Sequence, residues 1–97
     1  MTFYDREGEE VTLEEWAALF EDKDYRRIGL YEDKRHVVST VWLGVDSHEN
    51  FETMVFEIVN GEVDFGGVYS ERYASAEQAE AGHERIVEEW KKSRIGK

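Results

Sequence analysis

Val38-Ser39-Thr40-Val41-Trp42-Leu43-Gly44-Val45-Asp46, followed after a short polar stretch by Phe51-Glu52-Thr53-Met54-Val55-Phe56, decides the fold of this chain. β-Branched and aromatic residues dominate both runs, as suits a pleated, half-buried surface. The polar stretch Gly44–Asn50 is a connecting loop, so the spacing predicts two paired strands, Arg35–Leu43 and Phe51–Val59. Working outward, Asn60-Gly61 supplies the two φ > 0 positions of a type I′ hairpin, and strand Glu62–Tyr69 follows. Gly66-Gly67 within that strand suggests a bulge or a close approach by another backbone. On the other side, Tyr25–Tyr31 reads as a strand with its turn at Glu32-Asp33-Lys34. Four sequential strands joined by short connections make an antiparallel meander.

Helical spacing brackets the meander. Thr12-Leu13-Glu14-Glu15 is a capping box, Val11 and Trp16 stand where a hydrophobic staple would put them, and residues 13–23 are amphipathic with Trp16, Leu19 and Phe20 on the apolar side. Ser75-Ala76-Glu77-Gln78 is a second capping box. It opens a helix whose inward stripe is Ala79, Gly82, His83, Ile86, Val87 and Trp90. Lys91, Lys92 and Arg94 suit the macrodipole in its last turn, and Gly96 is a natural stop. Phe3-Tyr4-Asp5 is a short strand or an extended arm turning at Glu7-Gly8. The expectation is an α+β domain over residues 1–97. Its order is (β)αββββα, a four-stranded antiparallel meander sheet with two flanking helices. Both sides of the longest strand are apolar: Val37/Ser39/Val41/Leu43 and His36/Val38/Thr40/Trp42. Either one helix covers each face, or a homodimer contact or a partner protein covers the second.

The 97 residues carry 23 acids against 12 bases, a net charge of −11. Nine of the acids fall in residues 5–24, against Arg6 and Lys23 alone. Such a field repels nucleic acid and anionic membranes and attracts basic surfaces, and it also keeps a small protein soluble. Glu14, Glu15, Glu21 and Asp22 lie away from the apolar stripe of the first helix and, with Asp24 just beyond it, make a candidate protein-binding face for a partner with a basic surface. There is no cysteine, which excludes disulfides and thiolate metal sites and permits a cytoplasmic life. The first residues show no signal-peptide pattern, and no apolar run approaches the ~20 residues of a membrane span.

Chemistry is sparse. Asp46 and His48 lie in the strand-connecting loop and His83 on the inward stripe of the last helix. A helix crossing above that loop would gather them into a ligand, metal or general-base site. The bland reading of His83 is a core histidine bonded to a backbone carbonyl, and His36 reads as structural or surface. No nucleophile elbow, phosphate-cradling glycine loop or nucleotide fingerprint is present. The expectation is therefore a non-enzymatic protein with no cofactor and no resident metal. The aromatic residues stand among acids rather than bases, which argues against direct nucleic-acid binding.

The Ser39–Gly44 and Phe51–Phe56 strands, Arg72-Tyr73, Gly82-His83, and the Glu15-Trp16 helix with Phe20-Glu21-Asp22 and Tyr25-Arg26 together resemble a family of small uncharacterised proteins of tailed phages and prophages. The likeness covers most of the chain. Two features depart from it: Ser47 separates Asp46 from His48, and the family's long Gly/Pro-rich loop is missing. The resemblance implies a phage-encoded accessory protein working in the cytoplasm of an infected bacterium. It would be an anti-CRISPR-like inhibitor of a host nucleic-acid-handling complex and would supply no catalytic residue. The alternatives are a small-ligand or metal-binding protein using Asp46, His48 and His83, or a self-assembling structural protein.

Overall fold

The computed structural model describes residues 1–45 and 48–95; Asp46 and the stop expected at Gly96 lie outside the described residues. In chain order the elements are β1 (Phe3–Tyr4), β2 (Glu10–Val11), α1 (Leu13–Glu21), α2 (Lys23–Arg26), β3 (Arg27–Glu32), β4 (His36–Trp42), β5 (Phe51–Val59), β6 (Glu62–Tyr73) and α3 (Ala76–Ile95). The large sheet is antiparallel in the order β3-β4-β5-β6, the meander expected. Asn60 and Gly61 turn the β5–β6 hairpin with φ of 55° and 81°, the two left-handed positions that turn demands. Among the described residues no helix is long and apolar enough to cross a membrane.

Local chemistry sets the boundaries. Thr12 and Glu15 form the full capping box at the start of α1. The helix stops at Glu21 rather than at residue 23, because Asp22 turns extended and its carboxylate accepts the amides of Asp24 and Tyr25, starting the single turn α2. That turn takes up Tyr25 and Arg26, so the strand expected from Tyr25 begins at Arg27. The opening arm is a strand with a partner, since Phe3 pairs with Val11 and Tyr4 with Glu10 across a turn that the Asp5 carboxylate holds through the Glu7 and Glu9 amides. At the second capping box Ser75 accepts the Gln78 amide, while the Gln78 side chain reaches one residue further back, to the Ala74 amide. The glycine pair marks a real bulge. Val55 pairs with Tyr69 and Glu57 with Asp64, so Phe65-Gly66-Gly67-Val68 stand opposite Phe56 alone.

Both main helices lie on one face of the sheet. Val38 and Val55 pack with Ile86 and Val87 of α3, with Tyr31 and Trp90 alongside. Trp42, Phe51 and Tyr73 pack with Ala79, and Trp16, Leu19 and Phe20 of α1 close that end. Each such aliphatic or aromatic side chain, fully buried, contributes ~1.5–3 kcal/mol. α1 is held there by the Trp16 indole N–H, which donates to the Leu43 carbonyl at 3.0 Å. The other face, carrying Val37, Val41, Met54 and Phe56, receives neither α1 nor α3. Its margin includes Phe65, 78% exposed and edge-on to Phe56, and Val68, 45% exposed.

Candidate functional site

The acidic face is present but not uniform. Glu14, Glu15, Glu21, Asp22 and Asp24 are all exposed. Two of them have structural duties: the Glu15 carboxylate accepts the Thr12 amide at 2.9 Å, and Asp22 caps α2. Glu14, Glu21 and Asp24 make no ion pair among the described residues. Glu14 and Glu21 are seven residues apart and so share one side of α1, and Asp24 follows in α2. Glu21 ends a helix that has no base in its last turn, where a negative charge opposes the macrodipole.

His83 faces the sheet, as its place on the stripe requires, but its partner is a side chain. Nδ1 lies 2.7 Å from the Thr40 hydroxyl, which lies 2.5 Å from the Thr53 hydroxyl, and the Tyr73 hydroxyl donates to Thr53 at 3.0 Å. Donation in the order Tyr73, Thr53, Thr40, His83 gives each threonine one donor and one acceptor role and leaves the imidazole proton on Nε2. Thr40 and Thr53 are fully buried cross-strand partners, and the ring lies against Gly29, where a Cβ would sit 2.6 Å from Cδ2. Burial holds the His83 pKa below the ordinary histidine value, with the neighbouring Glu84 carboxylate opposing it. The result is a neutral, oriented imidazole beside a groove of about 440 Å³ walled by Tyr31, Glu84, Val87 and Glu88.

The loop-and-helix cluster is not assembled from the described residues. His48 is exposed in the β4–β5 connection and does not line the His83 groove, and Asp46 lies outside the described residues. Among the described residues no three His, Asp or Glu side chains converge as metal ligands. His36 is buried edge-on against Trp90 with centroids 4.8 Å apart, a packing role. The hydroxyl chain is the feature that sequence reasoning missed. Its signal was present: Thr40 lies between Val38 and Trp42 on the inward face, and Thr53 between Phe51 and Val55. Also missed was the cationic corner made by Lys23, Arg26 and Arg27 around a groove of about 240 Å³.

The depressed His83 pKa has a measurable sign. The unfolded chain takes up the proton near pH 6.5 while the folded ring still resists it, so stability is full above that pH and falls as pH drops towards the folded value. His83→Gln removes this increment. Denaturant unfolding at pH 7.0 and 5.5 should show a smaller pH loss for the variant than for the parent; equal losses would mean the ring is not held neutral. No protein-family model matches the chain, and neither a curated protein nor a solved structure matches it.

Proposed function

We propose that this protein acts without catalysis, by occupying the basic surface of another protein with the acidic side of α1 and α2. The observation that carries this is the trio Glu14, Glu21 and Asp24, exposed and outside every ion pair among the described residues, beside two acids committed to capping. The resemblance to tailed-phage proteins directs the reading to a phage accessory factor of the anti-CRISPR-like kind, whose partner is a host nucleic-acid-handling complex. Acidic charge on a small rigid domain can occupy a channel built for phosphates, and it accelerates encounter at low salt.

The capping duties dictate the test. Glu14→Lys, Glu21→Lys and Asp24→Lys together spare both caps, so the triple variant should unfold within about 0.5 kcal/mol of the parent. In a pull-down from bacterial host lysate it should lose a partner that the parent retains at low salt and releases at high salt. Undiminished capture by a folded triple variant would remove the acidic face from the proposal. The uncovered sheet face favours a second reading, self-association through Met54, Phe56 and Phe65. Sedimentation over a range of protein concentrations decides it, with Phe65→Asp expected to hold the chain monomeric.

A further inference from the structure

Among the described residues β3 is an edge strand, paired with β4 alone. A groove runs along each side of that edge. On the α3 side lies the groove walled by Tyr31, His83, Glu84, Val87 and Glu88; on the open-face side lies the one walled by Lys23, Arg26, Arg27, Ser39 and Val41. Leu30, 51% exposed, lines both and forms the ridge between them.

The two grooves carry opposite charge. Glu84 and Glu88 flank the first, with Glu88 sharing Lys91 at 3.5 Å. Three cations flank the second, and among the described residues no ion pair engages any of them. The Arg26 guanidinium lies 3.8 Å over the Phe20 ring, and its Nε is buried with no partner among the described residues. The chain as a whole carries −11, so three cations outside every described ion pair are a local exception to its charge.

An extended chain laid along a sheet edge takes main-chain hydrogen bonds from that edge and sends successive side chains to opposite faces. At β3, neighbouring side chains would enter grooves of opposite sign. The geometry points to β3 as the docking edge for an extended peptide segment in which a basic and an acidic residue are adjacent. The cation enters between Glu84 and Glu88, and the carboxylate meets Lys23, Arg26 and Arg27. A second copy of this chain fits the edge poorly, because pairing β3 with β3 brings two pairs of Glu84 and Glu88 together on chains that each carry −11. Glu14 and Glu21 of α1 line neither groove, whereas Asp24 of the acidic face shares α2 with Lys23 and Arg26, so the peptide test is run with Asp24 unchanged.

The test is an amide NMR titration of the full chain with three end-blocked peptides: Thr-Val-Lys-Glu-Val-Thr and its Lys-Lys and Glu-Glu counterparts. The Lys-Glu peptide should shift amides of residues 29–32 and bind about fivefold tighter than either counterpart, the discrimination that one or two partly exposed charge pairs supply. K23E/R27E, which turns the groove's charge from +3 to −1, should transfer the preference to the Lys-Lys peptide, and E84K/E88K should transfer it to the Glu-Glu peptide. Both sets of side chains are exposed or groove-lining, so folding is checked by the unchanged parent spectrum elsewhere. Absence of β3 shifts up to millimolar peptide, or equal binding of all three peptides, would overturn the proposal. Shifts at residues 29–32 that grow with protein concentration without peptide would overturn it in favour of a second copy at this edge.

Discussion

Trp42→Ala should lower the unfolding free energy by about 3–5 kcal/mol, the range for deleting a buried aromatic side chain. For a domain whose whole stability is ~5–15 kcal/mol, that is a large share. Trp42 is fully buried. Tyr25 meets its ring edge-on at 5.1 Å between centroids, Phe20 stands at 6.2 Å, and Phe51 and Ala79 complete the cluster. The cavity cannot close easily, because α1 is tied to the loop end by the Trp16–Leu43 hydrogen bond and Gly44 already lies against the indole. A Cβ at Gly44 would fall within 3.0 Å of that ring, and its φ of 73° favours glycine independently.

Trp42→Phe separates two effects. The Trp42 indole N–H is buried without a hydrogen-bond partner among the described residues, a burden of ~1–3 kcal/mol that phenylalanine lacks. Relief of that burden offsets much of the lost area, so Phe should cost less than about half of what Ala costs. Urea unfolding of the two variants checks both numbers. A loss below about 1 kcal/mol for Trp42→Ala would show that α1 does not close this end of the sheet, and the acidic side of α1 would lose its rigid support.

What could be read from sequence was what depends on near neighbours. The Thr12–Glu15 box, the Asn60-Gly61 turn and the stripe of α3 are local patterns, and they appear at the expected positions. The short helix α2 was hidden because its signal is Asp22 acting twice, as the end of one helix and the cap of the next. Phe3-Tyr4 was legible as a short strand or arm turning at Glu7-Gly8, but its partner Glu10–Val11 was hidden because two residues per strand leave no periodicity to detect. The hydroxyl chain needed register. Thr40 meets Thr53 only because the Gly44–Asn50 connection sets Trp42 opposite Phe51, and loop length alone does not dictate that pairing. The candidate site suffered most: His83 is legible as inward-facing, whereas its partner depends on two strands and a helix meeting, as do the two grooves beside β3.

Gly82→Ala should destabilise the protein by about 2 kcal/mol, although the same change inside a helix ordinarily stabilises by ~1 kcal/mol. Gly82 is buried on α3, and a Cβ there would come within 3.0 Å of Cε1, Cζ and the hydroxyl oxygen of Tyr73. The Tyr73 ring cannot swing aside cheaply: it is 7% exposed and pinned through its hydroxyl to Thr53. The helix must lift instead, at the upper end of the ~1–3 kcal/mol that overpacking costs, and the propensity gain recovers only part of it. Tyr73→Leu removes the obstacle, so in that background Gly82→Ala should be neutral or stabilising by up to ~1 kcal/mol. The double-mutant cycle should therefore return a coupling of about 2–3 kcal/mol, whereas additivity would mean that α3 does not seat on Tyr73. The same seating sets His83 over Gly29 and places Glu84 and Glu88 along β3. Lifting α3 should thus also abolish the peptide's charge preference at that edge, because the acidic wall of one groove moves while the basic wall of the other stays.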